Sequence, residues 1–393
     1  MKTLAMVNGN DFRTMVKAAL SVTVKRSATG IGESILIKAC DNVLYICGNT
    51  LDQMYRGQCK CDCDGTDCDG TFEVTINEYT AKKIVNIKGN DITITYDSDE
   101  DKKIKITDGK KTMELNCFTP LDNDFNYDSY TCLLEKDRSI VFTVDAEELL
   151  DGIKTVAPFR SFIDAKPILQ GFNFNGETGH LETIDGYRAI RKSWRTLKEQ
   201  SNYNMTVQQQ LENIKNIFDK SGTISVAVTT DNKLTVFSKN DYGVTAEYGV
   251  RNYEGSFYPI KDNIPKSFAT VIKVDNAELT DVVKEYKGYV NAKSPVPMYI
   301  GSSNGELYTA MFASDIKTSD KLTAKIDGNA DIIGAYKISF ILDSLKVFGK
   351  NEIVINYNND MTPILMADGE YECLNLPVRM KPEDKEKFRE MIA

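Results

Sequence analysis

Apolar residues recur at helical spacing in three stretches that each follow a short polar cap. Phe12, Val16, Ala19 and Leu20 lie on one face of a helix predicted from Asn10 to about Val24. Leu149, Ile153 and Val156 do the same from Asp145 to about Val156, and Leu279, Val283, Tyr286 and Val290 from Asn276 to about Val290. Asp145 and Asp275 are expected N-caps, because a short carboxylate there accepts from the orphan amides of the first turn. Three further helices are predicted over Asn77–Ile87, Thr206–Phe218 and Tyr336–Phe348, with stripes Thr80, Ile84, Ile87; Leu211, Ile214, Phe218; and Ile341, Leu345, Phe348. A polar turn and a strictly alternating run follow, such as Ile92-Thr93-Ile94-Thr95-Tyr96 or Ile224-Ser225-Val226-Ala227-Val228. Period-two alternation means one buried and one wet face, the mark of antiparallel sheet.

The pattern is written three times. Val144-Asp145-Ala146-Glu147-Glu148-Leu149 reads again as Val274-Asp275-Asn276-Ala277-Glu278-Leu279, with a fainter copy at Val7-Asn8-Gly9-Asn10-Asp11-Phe12. Lys88-Gly89-Asn90-Asp91-Ile92-Thr93-Ile94-Thr95-Tyr96 returns as Gly349-Lys350-Asn351-Glu352-Ile353-Val354-Ile355-Asn356-Tyr357. Three units of about 130 residues fill the 393-residue chain. Composition turns polar at 121–137 and 255–270, which gives expected domains at 1–125, 138–262 and 267–380. Past them, Lys381-Pro382-Glu383-Asp384-Lys385-Glu386-Lys387 opens a charged extension over 381–393. Its early Pro and first-turn acids predict a short terminal helix.

Hydrophobic content of 41% and charged content of 27% belong to an ordinary globular chain. No apolar run approaches the roughly 18 residues of a membrane span. The N-terminus meets Asn8 and Asp11 too soon for a signal peptide, so the expected compartment is the cytoplasm. A net charge of −9 argues against a generally basic nucleic-acid-binding surface. Counted with their flanking residues, over 8–26, 77–89, 145–160, 205–221, 275–293 and 336–350, the six predicted helices nevertheless sum to +4, so basic groups are enriched there relative to the sheets.

Catalytic signals are scarce. His180 is the one histidine, so any Ser/His/Asp or Cys/His apparatus would have to be built around it; its expected place is an exposed hairpin. Neither GxxxxGK[ST] nor a strand-linked GxGxxG occurs. Seven of the nine cysteines lie in the first third, with Cys59, Cys61, Cys63 and Cys68 inside ten residues. Their spacing is CxCxCx4C rather than paired CxxC knuckles. Free structural thiols are the expectation, and a zinc site is the alternative. A calcium loop through Asp62, Asp64 and Glu73 is weaker, since Asp67 stands where that loop needs Gly.

One stretch carries more specific information. Lys166-Pro167-Ile168-Leu169-Gln170-Gly171-Phe172-Asn173-Phe174 leads to Leu181-Glu182-Thr183-Ile184-Asp185-Gly186-Tyr187-Arg188-Ala189. Glu254-Gly255-Ser256-Phe257-Tyr258-Pro259, Ile264-Pro265-Lys266 and Leu374-Asn375-Leu376-Pro377-Val378-Arg379-Met380 follow in order. Together these resemble the bacterial DNA sliding clamp, the beta subunit of DNA polymerase III, most clearly over 140–380.

The resemblance implies an α+β fold of three clamp domains, each with two helices backed by antiparallel sheet. Two chains would close head to tail as a homodimer ring around double-stranded DNA, without catalytic activity or cofactor. Lys25, Arg26, Lys82, Lys83, Arg160, Lys166, Lys215, Lys220, Lys284, Lys337 and Lys346 are the expected phosphate-facing groups. Contact would be sequence-neutral and salt-sensitive. The resemblance also implies a peptide-binding pocket for the replicative DNA polymerase, the clamp loader and other clamp-binding-motif proteins. It would use Leu169, Ile184, Gly186, Tyr187, Arg188, Ala189 and Tyr258 with Phe340, Met361, Pro363, Leu374, Leu376, Pro377, Val378, Arg379 and Met380. Tyr258, Asp262, Asn263 and Ala189 depart from the family pattern, so part of the pocket is expected to be shallower or more polar. Two other classes stay open on the residues alone: a metal-binding enzyme or redox protein built on the cysteines, and a β-rich scaffold that binds proteins but not DNA.

Overall fold

The computed structural model describes residues 2–27, 30–65, 71–97, 103–163, 165–200, 203–241, 243–290, 296–313, 316–329, 331–349 and 352–393. They form two compact units, Met1–Ile153 with Glu199–Glu254, and Lys154–Lys198 with Gly255–Ala393.

The element order repeats three times: a strand, a helix, four or five strands, a second helix and three more strands. The leading strands are Lys2–Asn8, Arg138–Asp145 and Thr270–Asp275. Each runs straight into a helix: Gly9–Ser21, Ala146–Val156 or Asn276–Tyr289. The caps are local. Asn8 accepts from the amide of Asn10 at 2.9 Å, Asp145 from Glu148 at 3.2 Å, and Asp275 from Glu278 at 2.8 Å. The apolar stripes are buried as their spacing predicts, with Phe12, Val16, Leu149, Val156, Leu279 and Val283 all at 3% exposure or less.

The second helices are shorter than predicted. They cover Glu78–Ile84 and Ile338–Val347, because Asn77 and Tyr336 belong to strands instead. The middle one is a 3-10 helix, Gln209–Asn216, and Thr206 belongs to the strand Asn204–Val207. Leu211 and Ile214 are its buried residues and stand three apart, the period of a 3-10 helix; Ile217 at the C-cap and Phe218 after it are buried as well. The repeated phrase near the second helices is the same strand twice, Asp91–Asp97 and Glu352–Tyr357; Lys350 and Asn351 lie outside the described residues.

Strand pairing follows a rule. In the first unit, Gln53–Lys60 of the first repeat pairs antiparallel with Val244–Arg251, the last strand of the second repeat. In the second unit, Arg188–Ser193 of the second repeat pairs antiparallel with Tyr371–Asn375, the last strand of the third. Each seam carries an opposed Arg–Glu pair, Arg56 with Glu247 and Arg191 with Glu372. The corresponding strand of the third repeat, Lys317–Leu322, and the last strand of the first, Thr112–Asn116, each end a sheet. Among the described residues no strand lies on their outer sides.

The extension forms the helix Pro382–Ile392, as its composition predicts.

Candidate functional site

The second seam holds a cavity of about 440 Å³. Its floor is one cross-strand row on the sheet, Ile184 opposite Ala189 opposite Leu374. Two residues along the same strands, the next row on that face is polar: Glu182, Arg191 and Glu372. That row satisfies itself. Arg191 reaches Glu182 at 2.9 Å and Glu372 at 2.6 Å, and Asn173 donates to Glu182 at 3.0 Å. The floor therefore stays apolar beside a charge row that needs no water. Leu169, Ile260, Phe257, Ile264 and Phe268 pack against it.

One rim is the turn 185–188. Asp185 accepts from the amides of Tyr187 at 2.9 Å and Arg188 at 3.0 Å, closing an Asx-type turn. Gly186 sits there at φ 93°, a conformation that a side chain would strain. Tyr187 is thrown outward, 62% exposed, and its carbonyl accepts from the Leu376 amide at 2.9 Å.

Arg188 turns the other way and is buried. Its guanidinium donates to Asp185 at 3.0 Å, Asp343 at 2.8 Å and the Pro158 carbonyl at 2.7 Å. It lies between the rings of Phe159 and Phe340, 4.9 and 4.4 Å from their centroids. Burial raises the Asp343 pKa, but hydrogen bonds from Arg188 and Lys346 outweigh it and hold the carboxyl below its ordinary value.

Of the sixteen pocket residues expected from the sequence, Leu169, Ile184, Gly186, Tyr187, Arg188, Ala189, Tyr258, Pro363, Leu374 and Leu376 line this cavity. Phe340 stands behind Arg188 as one of its two stacking rings. The strand that supplies Leu374 ends at Asn375, so Pro377, Val378, Arg379 and Met380 leave the cavity; the Val378 amide donates to the Ala335 carbonyl at 2.7 Å. Met361 is 70% exposed and does not line it. Ile260 and Asn263 line it without having been expected, and so does Lys166, expected on DNA. Both former residues sit in the turn Ile260–Asn263, inside a segment whose polar composition reads as a linker.

The expected phosphate-facing set is uneven. Arg160 is 2% exposed, donates to the Gln170 carbonyl at 2.8 Å and lies 4.6 Å from the Phe172 ring centroid. It is an internal strut, which corrects the expectation of a surface cation. Lys82 pairs with Glu78, Lys220 with Glu147 and Asp151, Lys284 with Asp281, and Lys346 with Asp343. Lys83 and Lys337 lie over the rings of Tyr79 and Phe340. Lys25, Arg26, Lys166 and Lys215 are exposed.

Cys59 and Cys61 are buried and Cys63 half-buried, with the last two sulfurs 3.4 Å apart. Burial pushes the Cys59 thiol up to about 12. Cys68 and Asp67 lie outside the described residues. Among the described residues, no three His, Cys, Asp or Glu side chains are grouped to hold a metal. Glu73 is committed to Lys38 at 3.2 Å and the Tyr127 amide at 2.6 Å, away from any calcium role. His180 is half-buried rather than exposed. It sits 3.1 Å from Thr178 Oγ1 and 3.2 Å from Arg191, and burial with that guanidinium lowers its pKa to about 4.

No protein-family model matches the sequence, and no curated protein matches it. Solved structures do match. A DNA polymerase sliding clamp from Bacillus subtilis superposes with a TM-score of 0.81 at 18% identity, covering 97% of this chain and 100% of that one. A DNA polymerase III beta subunit from Thermotoga maritima gives 0.79 at 17% identity, covering 96% and 100%. The beta subunit from Borrelia burgdorferi, solved with a natural product, gives 0.79 at 17% identity with the same coverage. The chain thus has the fold of the DNA sliding clamps. Within that class, the fold it shares is that of the beta subunit of bacterial DNA polymerase III.

Proposed function

We propose that this protein is a DNA sliding clamp, a processivity factor without catalytic activity or cofactor. It would work in the cytoplasm, encircle duplex DNA as a homodimer and tether the replicative DNA polymerase. The observation that carries this is a clamp fold extending over 96–97% of the chain. Three domains, 1–125, 138–262 and 267–380, would supply half of a six-domain ring. No described helix is long and apolar enough to cross a membrane.

The seams support the dimer. Each time the fourth strand of one repeat meets the last strand of the next, they pair antiparallel. One further step of that rule sets Lys317–Leu322 of one copy beside Thr112–Asn116 of a second. The charges agree with the two existing seams: Lys317 and Lys321 on one edge, Glu114 on the other, although Lys103 already holds Glu114 at 2.6 Å within the copy. Pairing would also close two aggregation-prone edges. Successive amides of a strand point to opposite sides. Proline placed in turn at Met113 and at Glu114 therefore removes an outward donor in one variant only. That variant is expected to sediment as a monomer while the unsubstituted chain is a dimer; dimers in both variants would reject this interface.

The cavity supports the docking role. An apolar groove rimmed by Lys166, Tyr187, Tyr258 and Asn263 suits a linear peptide carrying Leu and Phe side chains. The clamp loader and other clamp-binding-motif proteins would use the same site. Ala189→Arg fills the floor with a long charged side chain. It should weaken such a peptide about thirtyfold or more, as loss of a central anchor does. Unchanged affinity would move the site elsewhere.

A further inference from the structure

The C-terminal helix Pro382–Ile392 is given no role by the clamp reading. It is firmly seated. Phe388 is fully buried and Ile392 nearly so, in a cluster with Tyr299, Phe312, Ile333 and Ala335. The Phe388 ring stacks on Tyr299 at 5.8 Å, Tyr299 stacks on Phe312 at 4.3 Å, and Lys387 lies 4.1 Å from the Phe312 centroid. The sheet is shaped for that ring, since any side chain at Gly301 would collide with it. None of the helix residues lines the cavity, so the helix is not a lid.

It is joined to the cavity in two ways. Back along the chain, Met380 packs on the same cluster and the Val378 amide is held by Ala335. The Leu376 amide is held by Tyr187, and Leu376 forms one wall. Sideways, Lys385 pairs with Asp360. Asp360 belongs to a tight turn in which Asn359 accepts from the Met361 amide at 2.9 Å, and that turn delivers Pro363 to the same cavity.

We infer that the C-terminal helix is a positioning element that fixes the Leu376 and Pro363 walls of the pocket, with Phe388 and Lys385 as its positioning residues. This rests on the peptide-docking reading. A groove with preset walls binds a linear peptide without first ordering them, and that ordering otherwise subtracts from affinity. Freeing the helix loosens both walls at once.

The test uses the full chain and a synthetic peptide carrying Leu and Phe, with affinity read by fluorescence anisotropy. Lys385→Glu and Asp360→Lys are each expected to weaken binding about three- to tenfold, the range of substitutions that act without touching ligand. The two together should restore it. Melting temperatures should barely move, because a partly exposed pair contributes little to global stability. Amide exchange over 359–363 and 376–380 should quicken in each single variant and return in the pair. Phe388→Ala and a chain ending at Met380 should show the larger losses. Equal affinity in every variant, or tighter binding by the shortened chain, overturns the inference and leaves the docking reading standing. No binding by the unsubstituted chain overturns both.

Discussion

Loaded onto a closed DNA circle, this protein is expected to stay bound through gel filtration, and a single cut in the circle is expected to release it. The reason lies in the cations. Of the eleven groups expected to face phosphate, Arg160 is internal and Lys82, Lys220, Lys284 and Lys346 are already paired with acids on their own or adjacent elements. Lys25, Arg26, Lys166 and Lys215 are exposed, on a chain whose net charge is −9. Few phosphates are neutralised by such a set, so direct affinity should sit at the weak end of non-specific binding, Kd roughly 10⁻⁴ M. That affinity should fall further as salt rises, since each neutralised phosphate releases counterions. A closed dimer needs no such contact, because DNA cannot leave through an intact ring. Retention on circles should accordingly resist moderate salt, while retention on the cut molecule should match that of a chain that was never loaded. Equal retention on circular and linear DNA would remove the topological claim, whatever the fold. A monomeric edge variant gives the complementary control, since it should not be retained on either.

The parts of this molecule that could be read in advance are the parts whose information is contiguous. The first helices declare themselves because the cap and stripe lie within one stretch, as Asp275, Leu279 and Val283 show. Ile184, Gly186, Arg188 and Ala189 of the pocket came through the resemblance, whose motif holds them in six consecutive positions. Misreadings begin where distant segments decide. Leu211, Ile214 and Phe218 are buried as their spacing predicts, yet Ile217 is buried too and Gln209–Asn216 winds as a 3-10 helix rather than an α-helix. Nothing near Arg160 announces that Gln170 and Phe172 enclose it ten residues on. Pro377 to Met380 follow Leu376 directly, yet sheet pairing ends at Asn375 and the Ala335 carbonyl draws the backbone away. Lys166 shows the same limit from the other side, since a lysine beside a proline says nothing about which surface it rims. Contacts with other elements set these outcomes, and a single sequence carries no local mark of them.

Arg188→Ala is expected to be the most destabilising single change around the pocket. A family likeness alone would assign Arg188 to peptide contact, but its guanidinium is spent on Asp185, Asp343 and the Pro158 carbonyl, between two rings. Removing it leaves Asp343 partly buried and facing Lys346 alone, and takes the guanidinium's bond from Asp185, while the backbone amides of 187 and 188 still close the turn. Breaking a buried pair by deleting one partner costs about 3 to 5 kcal/mol. A denaturant midpoint should register it. Arg188→Lys should recover only part, because one ammonium cannot serve three separated acceptors or stack flat between Phe159 and Phe340. Acid provides the discriminating readout. In the unsubstituted chain the Asp343 pKa is depressed, so its contribution is present at neutral pH and is lost as pH falls through and below the usual carboxylate range. In Arg188→Ala that contribution is already gone, and burial without the guanidinium pushes Asp343 upward. The stability gap between the two proteins should therefore narrow as pH drops from about 7 toward about 3, below the reference pKa of Asp. A gap that stays constant over that range would mean that Arg188 acts by packing between its two rings, not by charge.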